Sequence, residues 1–69
     1  MGEWNEKRVV WARETVENAP FFTESEDMYT NIKDTLCNIR HLCDKEGIDF
    51  EDVLSGATML YEGEVLDDE

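Results

Sequence analysis

Between residues 28 and 43 the apolar side chains recur at steps of three and four: Met28, Ile32, Leu36, Ile39 and Cys43, flanked by Tyr29 and Leu42. That period puts them on one face of an α-helix and excludes the two-residue alternation of a strand. Thr23-Glu24-Ser25-Glu26 upstream fits a capping box, so the spacing predicts a helix over about 23–46. Glu24, Glu26 and Asp27 fall where a helix dipole favours negative charge, and Gly47 is placed to supply a left-handed closing residue. A further helix is expected over about 49–63, with Asp49 as N-cap, Asp52 at the third position and Ile48 stapled on Val53. Its stripe is Phe50, Val53, Leu54, Ala57, Leu60 and Tyr61. Gly63 is expected to end it, leaving 64–69 as a frayed acidic tail. Upstream, Val9, Ala12 and Val16 recur helically, Trp4 and Trp11 share a neighbouring face, and Pro20 stops a helix of about 3–18. Phe21 and Phe22 are expected to fold back on the helices as a plug. The fold class is all-α: one small three-helix domain over residues 1–69 with a C-terminal helical hairpin.

Such a chain is short and strongly acidic. With 69 residues it buries only about 60% of its unfolded surface, too little for a cofactor domain beside a substrate domain. A net charge of -12 is unsuited to direct binding of nucleic acid or of anionic membrane surfaces, both of which need a basic face. No apolar run approaches a membrane span, and the first residues lack the basic start and apolar core of a signal peptide. A cytoplasmic location is therefore expected. Cys37 and Cys43 lie about 9 Å apart along one helix, too far for a disulfide, and read as reduced thiols.

Three constellations invite a chemical reading. Asp34, Cys37 and His41 share a helical face and include ligand types that Zn²⁺ accepts, but a structural site needs a fourth ligand and the chain offers no second pair. Cys37 and His41 as nucleophile and base lack the electropositive setting a reactive thiolate needs, and no glycine-rich loop offers an oxyanion hole. Glu14/Glu17 and Glu24/Asp27 resemble the paired acidic motifs with which all-α nucleotide pyrophosphohydrolases of the MazG type hold Mg²⁺. Pro20 separates the two pairs by only a few residues, and the second lies in an opening helical turn. No catalytic residue, metal site or cofactor is assigned, and the chain is expected to be no enzyme.

The distribution of charge is more informative. Residues 43–69 carry ten acids and one lysine, a net of -9, whereas residues 1–22 carry four acids and three cations. An ordinary solvated face explains part of this; a negative surface presented to a basic partner explains the rest. The aromatics Trp4, Trp11, Phe21, Phe22, Tyr29, Phe50 and Tyr61 are too many for so small a core, so part of the set is expected at the surface, where aromatics anchor interfaces. The candidate partner-binding residues are Asp44, Glu46, Asp49, Glu51, Asp52, Glu62 and Glu64, with Trp4, Trp11 and Tyr61 as anchors.

The segment Leu42-Cys43-Asp44-Lys45-Glu46-Gly47-Ile48-Asp49-Phe50-Glu51, followed by Leu54, Ala57 and Tyr61-Glu62, resembles the C-terminal half of short orphan proteins of phages and plasmids. Leu36, His41, Cys43 and Asp44 match the helix of that pattern; helix one lies outside it. The resemblance implies a helical hairpin and carries no activity. Genes of that size and origin frequently encode inhibitors of host defence, so the expectation is a non-enzymatic acidic inhibitor, of the anti-CRISPR or anti-restriction type. It would act as a DNA mimic on a basic nucleic-acid-handling protein inside a host cell. The alternative is a homo-oligomeric regulatory or scaffold subunit, a homodimer being its simplest form.

Overall fold

The computed structural model describes residues 2–68 and contains three helices, α1 (Glu3–Glu17), α2 (Met28–Glu46) and α3 (Phe50–Asp67), with no strand among those residues. The fold is all-α, as the periodicity requires. The helices follow one another as the sides of a triangle. The Cα trace spans 35 × 32 × 15 Å, so this triangle is a flat plate, a single layer of helices less than half as thick as it is wide.

Each corner is closed differently. At the α2–α3 corner Gly47 adopts φ 71, and its N–H donates to the Asp44 carbonyl while that of Ile48 donates to the Cys43 carbonyl at 2.8 Å. Asp49 then caps α3 by accepting from the Glu51 N–H at 3.0 Å. Both features match the sequence expectation. Arg40 lies across the corner, 3.8 Å from the Glu51 carboxylate and 5.5 Å from the Phe50 ring centroid.

The α1–α2 corner departs from expectation. Helix α2 begins at Met28 rather than Thr23, and its N-cap is Asp27, which accepts from the Thr30 N–H at 2.8 Å. The reason is Asn31, which is 2% exposed. Its side-chain oxygen accepts from the Thr23 N–H at 3.2 Å, and its amide nitrogen donates to the carbonyls of Thr23 at 3.0 Å and Asp27 at 3.2 Å. With its backbone held in this way, Thr23 turns its hydroxyl to the Phe21 carbonyl and the capping box does not form. Pro20 occupies the second position of a turn closed by the Phe22 N–H on the Ala19 carbonyl at 2.9 Å. Phe22 is half-buried, whereas Phe21 stays exposed against α2 beside Cys37.

The third corner joins the two ends of the described chain. Helix α3 does not stop at Gly63 but continues to Asp67, because Gly63 keeps a negative φ and α1 holds the last turns. The Glu64 carbonyl accepts from Asn5 Nδ2 at 3.2 Å, and its carboxylate pairs with Arg8 Nε at 3.0 Å. Residues 64–68 are therefore structured where a frayed tail was expected; Glu69 lies outside the described residues. Gly2 is the N-cap of α1 and has no side chain to offer, so the Asp68 carboxylate accepts from the Asn5 N–H at 2.6 Å in its place. A Cβ on Gly2 would collide with the Asp68 backbone, so only glycine fits there.

A ring of this kind encloses little. Among the described residues only Val16 and Cys43 are buried hydrophobics.

Candidate interaction surface

Of the ten residues expected to meet a partner, all but Glu64 are exposed. They do not form one patch. Asp44, Glu46, Asp49, Glu51 and Asp52 crowd the α2–α3 corner, where Arg40 and Lys45 are the nearby cations in sequence. Glu62 and Glu64 lie toward the other end of α3, and Glu64 is about 18 Å along the axis from Asp52. Two of the seven carboxylates already have structural work: Asp49 caps α3 and Glu64 closes the ring on Arg8. Glu51 pairs with Arg40 where both side chains are largely exposed, an arrangement worth about 1 kcal/mol or less. Asp44, Glu46, Asp52 and Glu62 make no ion pair among the described residues.

Trp4 and Trp11 are 53% and 52% exposed, and Lys7 lies 4.5 Å above the Trp4 ring. Tyr61 is 64% exposed and lines a cleft of about 660 Å³ between α1 and α3, together with Arg8, Val9, Ala12, Glu64 and Val65. A second cleft of about 490 Å³ lies between α1 and α2 and is bounded by Val9, Ala12, Val16, Met28, Ile32 and Leu36. Val9 and Ala12 line both, so the clefts open on the middle of the triangle. The helical face that the sequence marks as core is thus lined up inward but only half covered: Val9, Ile32 and Leu36 remain exposed. The missed structural residue is Asn31. A lone asparagine within an amphipathic helix gave no sequence signal, and its role emerges only from the turn folded over it.

Cys37 is exposed and Cys43 buried, both as free thiols. Among the described residues no group of three or more His, Cys, Asp or Glu side chains could hold a metal ion. Glu24 sits in the α1–α2 connection, and the Asp27 carboxylate is committed to its helix cap. The hydrogen bonds from Thr30 hold that carboxyl below its ordinary value. No described helix is long and apolar enough to cross a membrane. Comparison with family models, with curated proteins and with solved structures finds no match to this chain.

Proposed function

We propose that the chain is a non-enzymatic interaction protein that presents an acidic corner to a basic, nucleic-acid-handling protein and so occupies the place of a phosphate backbone. The observation that carries this reading is the α2–α3 corner, where five exposed carboxylates fall within nine residues on a hairpin closed by Gly47 and capped by Asp49. Carboxylates held on a rigid frame meet a basic groove with less ordering than a flexible tail requires, and their field speeds encounter. A phage- or plasmid-borne inhibitor of a host defence complex is the biological setting that this chemistry suits best.

Asp44, Glu46 and Asp52 test it without disturbing a cap or an ion pair. Replacing all three by lysine should weaken capture of a basic host protein from lysate severalfold and flatten the dependence of capture on salt. A partner retained equally by the triple variant at low and moderate salt refutes the electrostatic reading.

A further inference from the structure

A layer one helix thick cannot bury its own apolar side chains, and folded domains ordinarily stack two layers around a core. Two measures give the size of the deficit. The Cα radius of gyration is 13.7 Å, against about 11 Å for a compact chain of this length. The molecule exposes 5679 Å², whereas a compact protein of 8.0 kDa exposes about 4,450 Å². The excess, about 1,200 Å², is what one subunit contributes to a homodimer interface of obligate size.

The faces of the plate are not equivalent. On α1 the residues lining the inner cleft are Asn5, Arg8, Val9 and Ala12; on α3 they are Tyr61, Glu64 and Val65, with Asp68 just past its end. Trp4 and Trp11 lie about 90° round α1 from that stripe, and Val53 and Leu60 lie about 90° round α3 in the same rotational sense. Because the helices circulate round the triangle in one direction, equal rotations lead to the same face. Leu42 of α2 falls there as well. The interhelix ion pairs agree with this: Arg8 and Glu64 both lean toward this face, and Arg40 and Glu51 toward the other. All five apolar residues are exposed, and Leu60 is 59% exposed. Charge on this side comes from the Arg8–Glu64 pair, Asp67, Lys45 and Lys7, whose ammonium lies over the Trp4 ring, whereas Glu6, Arg13, Lys33, Arg40, Glu51 and Glu62 populate the opposite face. The sequence accounts for the contrast. Residues 53–61 form the longest uncharged run of the chain; Ser55 and Thr58 point away from Val53 and Leu60, whose side of α3 has the character of an interior face.

We propose that two copies of the chain pair through the Trp4, Trp11, Leu42, Val53 and Leu60 face, forming a two-layer homodimer with the acidic corners outward. A second copy suits the face better than a basic partner does, because the face offers a basic protein almost no acid. It is also the face on which two molecules of charge -12 meet with least repulsion. Gly56 lies beside Val53 and Leu60, and a Cβ there would touch nothing within 4 Å in the single chain, so it leaves room for the second copy's helix.

Sedimentation equilibrium decides the question. Wild-type protein should run at twice the 8.0 kDa chain mass, and its dimer should tighten as salt rises, the opposite sign to binding of a basic partner. L60E should weaken the dimer about tenfold or more, and Y29E, on the charged side, should leave it intact. Emission of the native tryptophans should shift to the blue as concentration rises through the dimer range, a readout that needs no variant to fold. A chain monomeric at every concentration overturns the proposal. So does a dimer that resists L60E or breaks with Y29E, or a monomer that uses Trp11 to hold a different protein. Capture of a basic partner by a monomer would leave the acidic-corner reading standing while ending this one.

Discussion

The α2–α3 and α1–α3 corners close the same triangle by opposite means. At the first, everything needed lies within a few residues: a left-handed Gly47, a capping Asp49 and the Arg40–Glu51 pair. At the second, Asp68 serves as the cap that Gly2 cannot provide, across a sequence separation of 63 residues. The negative charge that would be unfavourable at the C-terminal end of α3 is placed at the N-terminal end of α1, where the helix dipole favours it. Arg8 offsets Glu64 nearby. A corner built locally forms with the hairpin; a corner built across the whole chain forms only when the ring shuts.

The α1–α2 corner stands between these extremes and should be the most sensitive. Asn31 is buried and satisfies backbone groups of Thr23 and Asp27, so N31A should destabilise by about 2–3 kcal/mol, read from urea unfolding. A smaller loss would mean that water replaces the amide and that the turn is not organised by it.

The two glycine corners should then separate steric from conformational effects. G2A keeps an allowed φ of -76 but forces Asp68 away, and should cost about 1–2 kcal/mol, with faster amide exchange at Asn5 and over the last turn of α3. G47A meets no neighbour and is penalised only for its φ of 71, by about 1 kcal/mol, with exchange changes confined to the hairpin. If both variants disturb the same amides, the corners are one cooperative unit and the contrast fails.

D68N keeps the shape of the α1 cap but removes its charge, and should lose about 1 kcal/mol. The smallest effect is expected from acid. Asp27 titrates below its unfolded value, so its cap stabilises the fold above about pH 4 and is lost as pH falls through the lower folded-state value. D27N should therefore flatten the stability profile in that acid window and leave its alkaline side unchanged, which melting across the pH series would show.

Legibility in the sequence follows the same division. The apolar period of α2, the glycine at 47 and the cap at 49 are local signals, and each is found in place. Thr23 and Asp27 are both competent N-caps by type. Choosing between them requires knowing that Asn31 would hold the Thr23 backbone, which is a matter of three-dimensional packing. Gly63 carries the residue type of a left-handed helix stop, but a stop of that kind needs a positive φ, and contacts from α1 keep the helix going. The proposed interaction surface divides in the same way. Composition identified the acids and the surplus of aromatics; that Trp4 and Trp11 face away from Glu51 and Glu62 depends on how the helices circulate.

The proximity of Gly2 and Asp68 also makes the described residues a closed loop in space, with a covalent gap between Asp68 and Gly2. A short linker across that gap, with new ends cut beside Gly47, would give a circular permutant in which the hairpin is the distant contact and the α1–α3 corner the local one. The same set of contacts would then carry a different distribution of sequence separations. Comparing folding rates of the two connectivities would show which closure limits assembly of the ring.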